Sequence, residues 1–216
     1  MAIKKRKVEE VRCMPNNGDR TTDLWPVSNF VTLENRILSN GHRPAILWLT
    51  GLSGAGKSTL GIHLERALFN LGYHVVMLDG DSMRLDLNAD LGFSPANRSE
   101  NIRRIGEVAV LFAKTGAVVI AASISPYRRD RALIRARYPE LFHEIYINAA
   151  LDVCEQRDPK GLYRKARMGL VPHFTGISAP YEAPLHPELV LDTGQMAIEE
   201  NIEELVQFVV GRCGLL

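Results

Sequence analysis

The chain has 216 residues, 46% hydrophobic and 24% charged, the balance of a soluble globular protein that buries a substantial core. Its 26 Lys and Arg against 25 Asp and Glu leave a formal net charge of +1, which excludes a global field for gathering nucleic acid or a membrane surface. The length suits one large domain, or one domain with extensions.

The N-terminal stretch MAIKKRKVEEVR carries Lys4, Lys5, Arg6 and Lys7 with no apolar run behind them, so it does not read as a secretory signal. Residues 1–23 are polar and read as a flexible extension ahead of a domain covering 24–216. Cys13, Cys154 and Cys213 are scattered and form no CxxC pair. That argues against a zinc site or a disulfide framework and for a reducing, cytoplasmic setting. Apolar runs such as GAVVIAA (116–122) are too short to span a bilayer.

The first predicted strand is AILWLT (45–50). After it, Leu60, Leu64, Ala67, Leu68 and Leu71 fall on one face of a helix that stops near Gly72. A second strand, HVVMLD (74–79), is followed by a helix with Ile102, Ile105, Val108, Ala109 and Phe112 on its apolar face. Asn97 and Glu100 are spaced there like a capping box, and Gly116 suits the stop. Strands at AVVIAA (117–122), EIYIN (144–148) and ELVLDT (188–193) come next. A last amphipathic helix carries Ile198, Ile202, Leu205, Val206 and Val209. Near-continuous Val/Ile/Leu runs alternating with helices predict a three-layer α/β fold, of the P-loop nucleoside-triphosphate hydrolase type, with a parallel five-stranded sheet. Such sheets bind ligands at the carboxyl ends of their strands.

The segment GLSGAGKST (51–59) fits G-x-x-x-x-G-K-[ST] and stands between a strand and a helix, the context that motif requires. Gly51, Leu52, Ser53, Gly54, Ala55, Gly56, Lys57, Ser58 and Thr59 form the candidate ATP cradle. The glycines let backbone N–H groups turn inward on an anion, Lys57 adds a point charge, and the Ser58 hydroxyl suits Mg²⁺. Guanine-reading N-K-x-D is absent, and Asp79 and Asp81 follow the second strand directly, which points to a kinase of small metabolites. One carboxylate then organises the Mg²⁺ shell while the other takes the acceptor's proton. Asp81 reads equally well as a helix N-cap. Arg84 suits a forked contact to an anion.

GLSGAGKST, LDGD, DLGFS, ENIRRIGEVA, ISPYR, CEQRDPKGLY, FTGI, PYEAP and PELVLDT occur in this order between Trp25 and Thr193. Together they resemble the adenylyl-sulfate kinase family, which phosphorylates the 3′-hydroxyl of adenosine 5′-phosphosulfate with MgATP. The resemblance implies that Asp81 lies nearest the acceptor hydroxyl and Asp79 towards magnesium. It implies that Arg84, Arg98 and Asn101 grip the phosphosulfate and ribose, and that Phe93 and Phe174 sandwich the adenine. Ile124 and Ser125 would line the substrate pocket, with Ser125 at the family's phosphoserine position. In-line transfer needs only positioning and charge neutralisation, so that intermediate is not obligatory, and Ser125 before Pro126 reads equally as a turn residue. Arg157, Lys160, Arg164, Lys165 and Arg167 would belong to a mobile lid around 154–176, with Lys160 as a ligand contact. By composition alone these five are a solvated face. A homodimer and a separate ATP sulfurylase are the implied partners, with no nucleic acid or membrane.

Several positions depart from the family's usual pattern. Ser82 replaces asparagine, Leu85-Asp86 replaces a polar residue and glycine, Ala121-Ala122-Ser123 replaces threonine, serine and phenylalanine, and Ser178 replaces aspartate. An Asp86 facing the pocket weakens anion binding, whereas an Asp86 facing solvent does little. Two other readings stay open: a kinase of a different adenylylated or hydroxyl-bearing metabolite, and a nucleotide-binding regulator that has lost turnover.

Overall fold

The computed structural model describes residues 30–214. Extension 1–23, with its basic run and Cys13, lies outside the described residues. In chain order the elements are α1 (Leu33–Asn40), β1 (Ala45–Thr50), α2 (Lys57–Asn70), β2 (Val75–Asp79), α3 (Gly80–Leu85), α4 (Pro95–Ala113) and β3 (Val118–Ala122). They continue with α5 (Arg128–Arg137), β4 (Phe142–Asn148), α6 (Leu151–Arg157), α7 (Leu162–Arg167), β5 (Leu189–Asp192) and α8 (Ile198–Cys213). The five-stranded sheet runs β2-β3-β1-β4-β5, and each neighbouring pair is parallel. Among the described residues no helix is long and apolar enough to cross a membrane.

Strand β1 sits in the middle and every residue of it is buried. Its side chains alternate faces, as a pleated strand requires. Ala45, Leu47 and Leu49 pack with Leu60, Leu64 and Leu68 of α2 and Leu205 and Val209 of α8. Ile46 and Trp48 point the other way, into Ile102, Ile105 and Ala109 of α4, Ile134 of α5 and Phe142. Two cores therefore clamp one sheet, which explains why the predicted strands read as unbroken apolar runs rather than alternating ones.

Three local expectations are corrected. Helix α2 opens at Lys57 rather than Leu60, so the end of the phosphate loop is already its first turn. Helix α4 opens at Ser94, whose hydroxyl accepts from the Asn97 N–H at 3.3 Å, with Pro95 at the first helical position. The fixed φ of proline suits that place, and Asn97 and Glu100 are thereby moved inside the helix. Glu100 instead takes both Arg103 and Arg104. Asp81 is not the N-cap of α3. Asp79 is, accepting from the N–H groups of Asp81 (3.1 Å) and Ser82 (3.2 Å).

Candidate active site

At the carboxyl ends of β1, β2 and β3 a cleft of about 730 Å³ opens. The phosphate loop forms part of its wall. Gly54 adopts φ +76°, and a Cβ there would meet the Cys154 carbonyl at 2.9 Å, so only glycine lets the loop curl this tightly. Lys57 is buried beneath the loop, its ammonium donating to the carbonyls of Gly51 (3.0 Å) and Leu52 (2.6 Å). Burial pulls its pKa down to about 8, against the opposing pull of Cys154 and Asp81. Ser53, Gly54, Gly56, Lys57, Ser58 and Thr59 line the cleft. Gly51 and Leu52 act from behind through their carbonyls, and Ala55 is fully buried in the core.

The Ser58 hydroxyl donates to Asp79 Oδ2 at 2.6 Å, which places two hard oxygen donors side by side next to the loop. Asp79 Oδ1 is occupied in capping α3, so the carboxylate is fixed in orientation. Asp81 projects from the next turn into the same cleft, where its carboxylate pairs with Lys160. Lys160 lies between α6 and α7, on a turn held by Asp158, whose carboxylate accepts from the N–H groups of Tyr163 (3.0 Å) and Arg164 (3.1 Å). Of the five basic residues between 157 and 167, Arg157 and Lys160 face the cleft, and Arg167 is engaged by Glu155 at 2.7 Å.

Arg84 and Arg98 also line the cleft, and among the described residues neither is paired with a carboxylate. Arg84 lies 4.6 Å over the Phe93 ring and donates to the carbonyls of Leu91 and Gly92. Burial and the neighbouring Arg98 lower its pKa. Arg98 donates from Nε to the Phe93 carbonyl (2.9 Å) and from Nη2 to the His173 carbonyl (2.8 Å), joining two segments that are distant in sequence. Phe93 is 60% exposed, whereas Phe174 is buried and packs edge-on against Tyr163 at 4.9 Å. Both rings face the cleft. Asn101, Ile124 and Ser125 complete the predicted set, and all three line it. Two unneutralised guanidinium groups beside aromatic faces make a place for an anion joined to a flat ring.

Ser125 has a positive φ of +40° and is almost fully buried. Its hydroxyl accepts from Trp48 Nε1 at 3.0 Å and donates to Thr50 Oγ1 at 3.0 Å. Thr50 in turn reaches the Ile124 carbonyl (2.8 Å) and the Tyr181 hydroxyl (3.0 Å). A side chain so engaged ties the end of β1 to the segment that follows β3. Reading the sequence missed this support: Trp48, Thr50, Tyr181 and, behind them, Arg131 and Glu144. Tyr181 lies inside the quoted PYEAP, but nothing in the spacing of the others marks them.

A family model described as adenylylsulphate kinase matches residues 43–192. The chain belongs to the adenylyl-sulfate kinase family. It is 59% identical to the adenylyl-sulfate kinase of Geotalea uraniireducens over 174 residues, 80% of this chain and 84% of that one. It is 56% identical to that of Bacillus pumilus over 187 residues, 86% and 94% of the two chains. A solved structure of the Mycobacterium tuberculosis APS kinase in complex with AMPPNP and APS superposes with a TM-score of 0.74 at 45% identity, covering 77% of this chain and 98% of that one.

The departures from the family's pattern fall mostly outside the cleft. Ser82, Leu85 and Asp86 are exposed and none lines it. Ser178 accepts from the Phe174 N–H at 2.9 Å, a contact that an aspartate oxygen makes equally well. Ala121 is buried in β3, and Ala122, buried at the end of that strand, borders the cleft. Ser123 does line the cleft, and it packs on Gly80, where a Cβ would meet the Ser123 hydroxyl at 3.1 Å.

Proposed function

We propose that this protein transfers the γ-phosphoryl group of ATP to the 3′-hydroxyl of adenosine 5′-phosphosulfate, giving 3′-phosphoadenylyl sulfate and ADP. The observation that carries the reading is a single cleft lined both by the phosphate loop and by Asp81, Arg84, Phe93, Arg98 and Asn101. In this reading the N–H groups of residues 51–59 and the Lys57 ammonium hold the ATP phosphates. Ser58 and Asp79 would hold Mg²⁺, since their adjacent oxygens suit a cation that takes few protein ligands and keeps water and phosphate. Among the described residues no cluster of three carboxylate, histidine or cysteine groups offers a closed cage, which fits that kind of site. Bound there with ATP, Mg²⁺ would supply positive charge against the phosphates.

Asp81 accepts the proton of the 3′-hydroxyl as its oxygen attacks the γ-phosphorus, and the bond to the β-phosphate oxygen breaks towards ADP. Arg84, Arg98 and Asn101 hold the phosphosulfate and ribose, while Phe93 and Phe174 flank the adenine. Lys160, paired with Asp81 before substrates arrive, is transferred to phosphate oxygens as the 154–176 lid closes and frees the base. Residues 24–216 act as the kinase domain, in a cytoplasmic enzyme that works as a homodimer and receives adenylyl sulfate from a separate ATP sulfurylase.

The test is ADP release from purified protein given MgATP and adenylyl sulfate, with the product identified by mass. Formation of 3′-phosphoadenylyl sulfate, lost in Asp81→Ala, supports the reading. ATP binding without product would overturn it.

A further inference from the structure

The cleft's polar wall has a support behind it that neither motif nor mechanism uses. Asn88 follows α3 and is fully buried. Its Nδ2 donates to Asn101 Oδ1 at 3.1 Å, and its own Oδ1 has no partner. Asn101 is itself 3% exposed and lines the cleft.

The two amides have two arrangements. In one, Asn88 donates one N–H, which leaves its carbonyl oxygen and its second N–H without partners. In the other, both amides are turned over, Asn101 donates, and the buried orphan on Asn88 is an NH₂ group carrying two N–H bonds. Buried N–H groups without partners are rarer and more costly than under-used carbonyls, so the first arrangement is favoured. Asn101 Oδ1 is then consumed, and Asn101 Nδ2 is the end left for the cleft.

We infer that Asn88 is a positioning residue: it fixes the side-chain amide of Asn101 so that an NH₂ donor, and not a carbonyl, faces the acceptor's anionic and ribose oxygens. The inference rests on the reading of Asn101 as an acceptor contact. Its physical content is polarity. A carbonyl turned towards a phosphosulfate repels it, whereas an N–H makes a charge-assisted hydrogen bond. The segment that carries Asn88 is anchored on both sides: its N–H donates to the Met83 carbonyl at 2.9 Å, and Arg104 binds Asp90 at 2.7 Å. Asn88 is therefore held against α4 independently of its amide.

The experiment compares KM for adenylyl sulfate and for ATP in wild type, Asn88→Ala, Asn101→Ala and the double variant, with thermal unfolding of each. The expected result is a KM for adenylyl sulfate raised roughly tenfold to hundredfold by either single change, the size of one hydrogen bond to a charged group. KM for ATP stays level, and the double variant is no worse than Asn101→Ala alone. Multiplying effects in the double variant, or equal rises in both KM values, would show Asn88 to be packing only and overturn the inference. An unchanged adenylyl-sulfate KM in Asn101→Ala would overturn it by removing the contact on which it rests, and the single variant reports that separately. If Asn88→Ala does not fold, Asn88→Asp keeps the shape but cannot donate. Asn101 must then turn its NH₂ inward, so the same selective loss of acceptor affinity is expected, and a wild-type KM in Asn88→Asp contradicts the inference.

Discussion

Arg131 Nη1 donates to the backbone carbonyl of Ser125 at 2.5 Å. The same guanidinium binds Glu144 at 2.5 Å and the Glu182 carbonyl at 2.8 Å, and only 2% of its side chain is exposed. One buried cation thus joins β4, the end of β3 and the PYEAP segment, and it holds Ser125 in a left-handed conformation that costs about 1–3 kcal/mol for a residue with a side chain. Replacing Arg131 by Met leaves Glu144 buried without this partner and releases Ser125. The expected loss is about 3–5 kcal/mol of unfolding free energy in a urea titration, with a raised KM for adenylyl sulfate in whatever folds.

Lys57 gives the pH dependence. Its pKa is lowered to about 8 in the ligand-free protein by burial, against 10.5 for the ordinary side chain. Below pH 8 the group is charged both folded and unfolded, so the burial penalty is fully present. As pH rises from 8 to 10.5 the folded form binds fewer protons than the unfolded one, and the penalty is relieved by on the order of 3 kcal/mol. Stability of wild type relative to Lys57→Met therefore rises across that window. With the Lys57 ammonium as the proposed contact to ATP, kcat/KM for ATP is expected to fall above pH 8. Measured at saturating ATP, kcat stays flat there, since bound phosphate keeps the lysine protonated.

The Lys160–Asp81 pair is more than half exposed on both sides, so it contributes little to folding. Lys160→Met is expected to leave the thermal midpoint in place and to lower turnover by roughly tenfold or more through the lost phosphate contact. Asp81→Asn keeps ATP affinity and lowers kcat by roughly 10²–10⁴-fold, the range of general-base catalysis. Steady-state kinetics beside a binding titration check both.

The two phenylalanines are expected to separate. Phe174→Ala removes a buried ring packed on Tyr163 and loses about 3–5 kcal/mol of stability. Phe93→Ala removes an exposed ring, so unfolding is unchanged while KM for adenylyl sulfate rises. A matching stability loss in both variants would assign Phe93 to the core instead.

Much of this was legible in the chain. The strand runs at 45–50, 74–79 and 117–122 lie within a residue of β1, β2 and β3, because strands buried on both faces need apolar side chains at every position. Chemistry of the phosphate loop is equally local: glycines that curl, a lysine and a serine, all within nine residues. Helix starts are less legible. Ser94 and Asp79 are the caps, in place of Asn97 and of the cap alternative for Asp81, since several short polar side chains near a helix start compete for the same N–H groups and only the chain's entry path selects one.

The sequence by itself determined the fold class, the phosphate loop, the family, and which charged and aromatic side chains to suspect. Those signals are short-range or periodic, carried by residues close together in the chain. Tertiary structure alone decided that Asp86 faces solvent, that the Ser125 hydroxyl is consumed by Trp48 and Thr50, that Arg98 joins Phe93 to His173, and that Asn88 stands behind Asn101. The partners in the Ser125 and Arg98–His173 contacts are 75 or more residues apart, and buried hydrogen bonds of this kind follow no period. They exist only once the sheet has brought the carboxyl ends of its strands together and excluded the water that would otherwise satisfy the same groups.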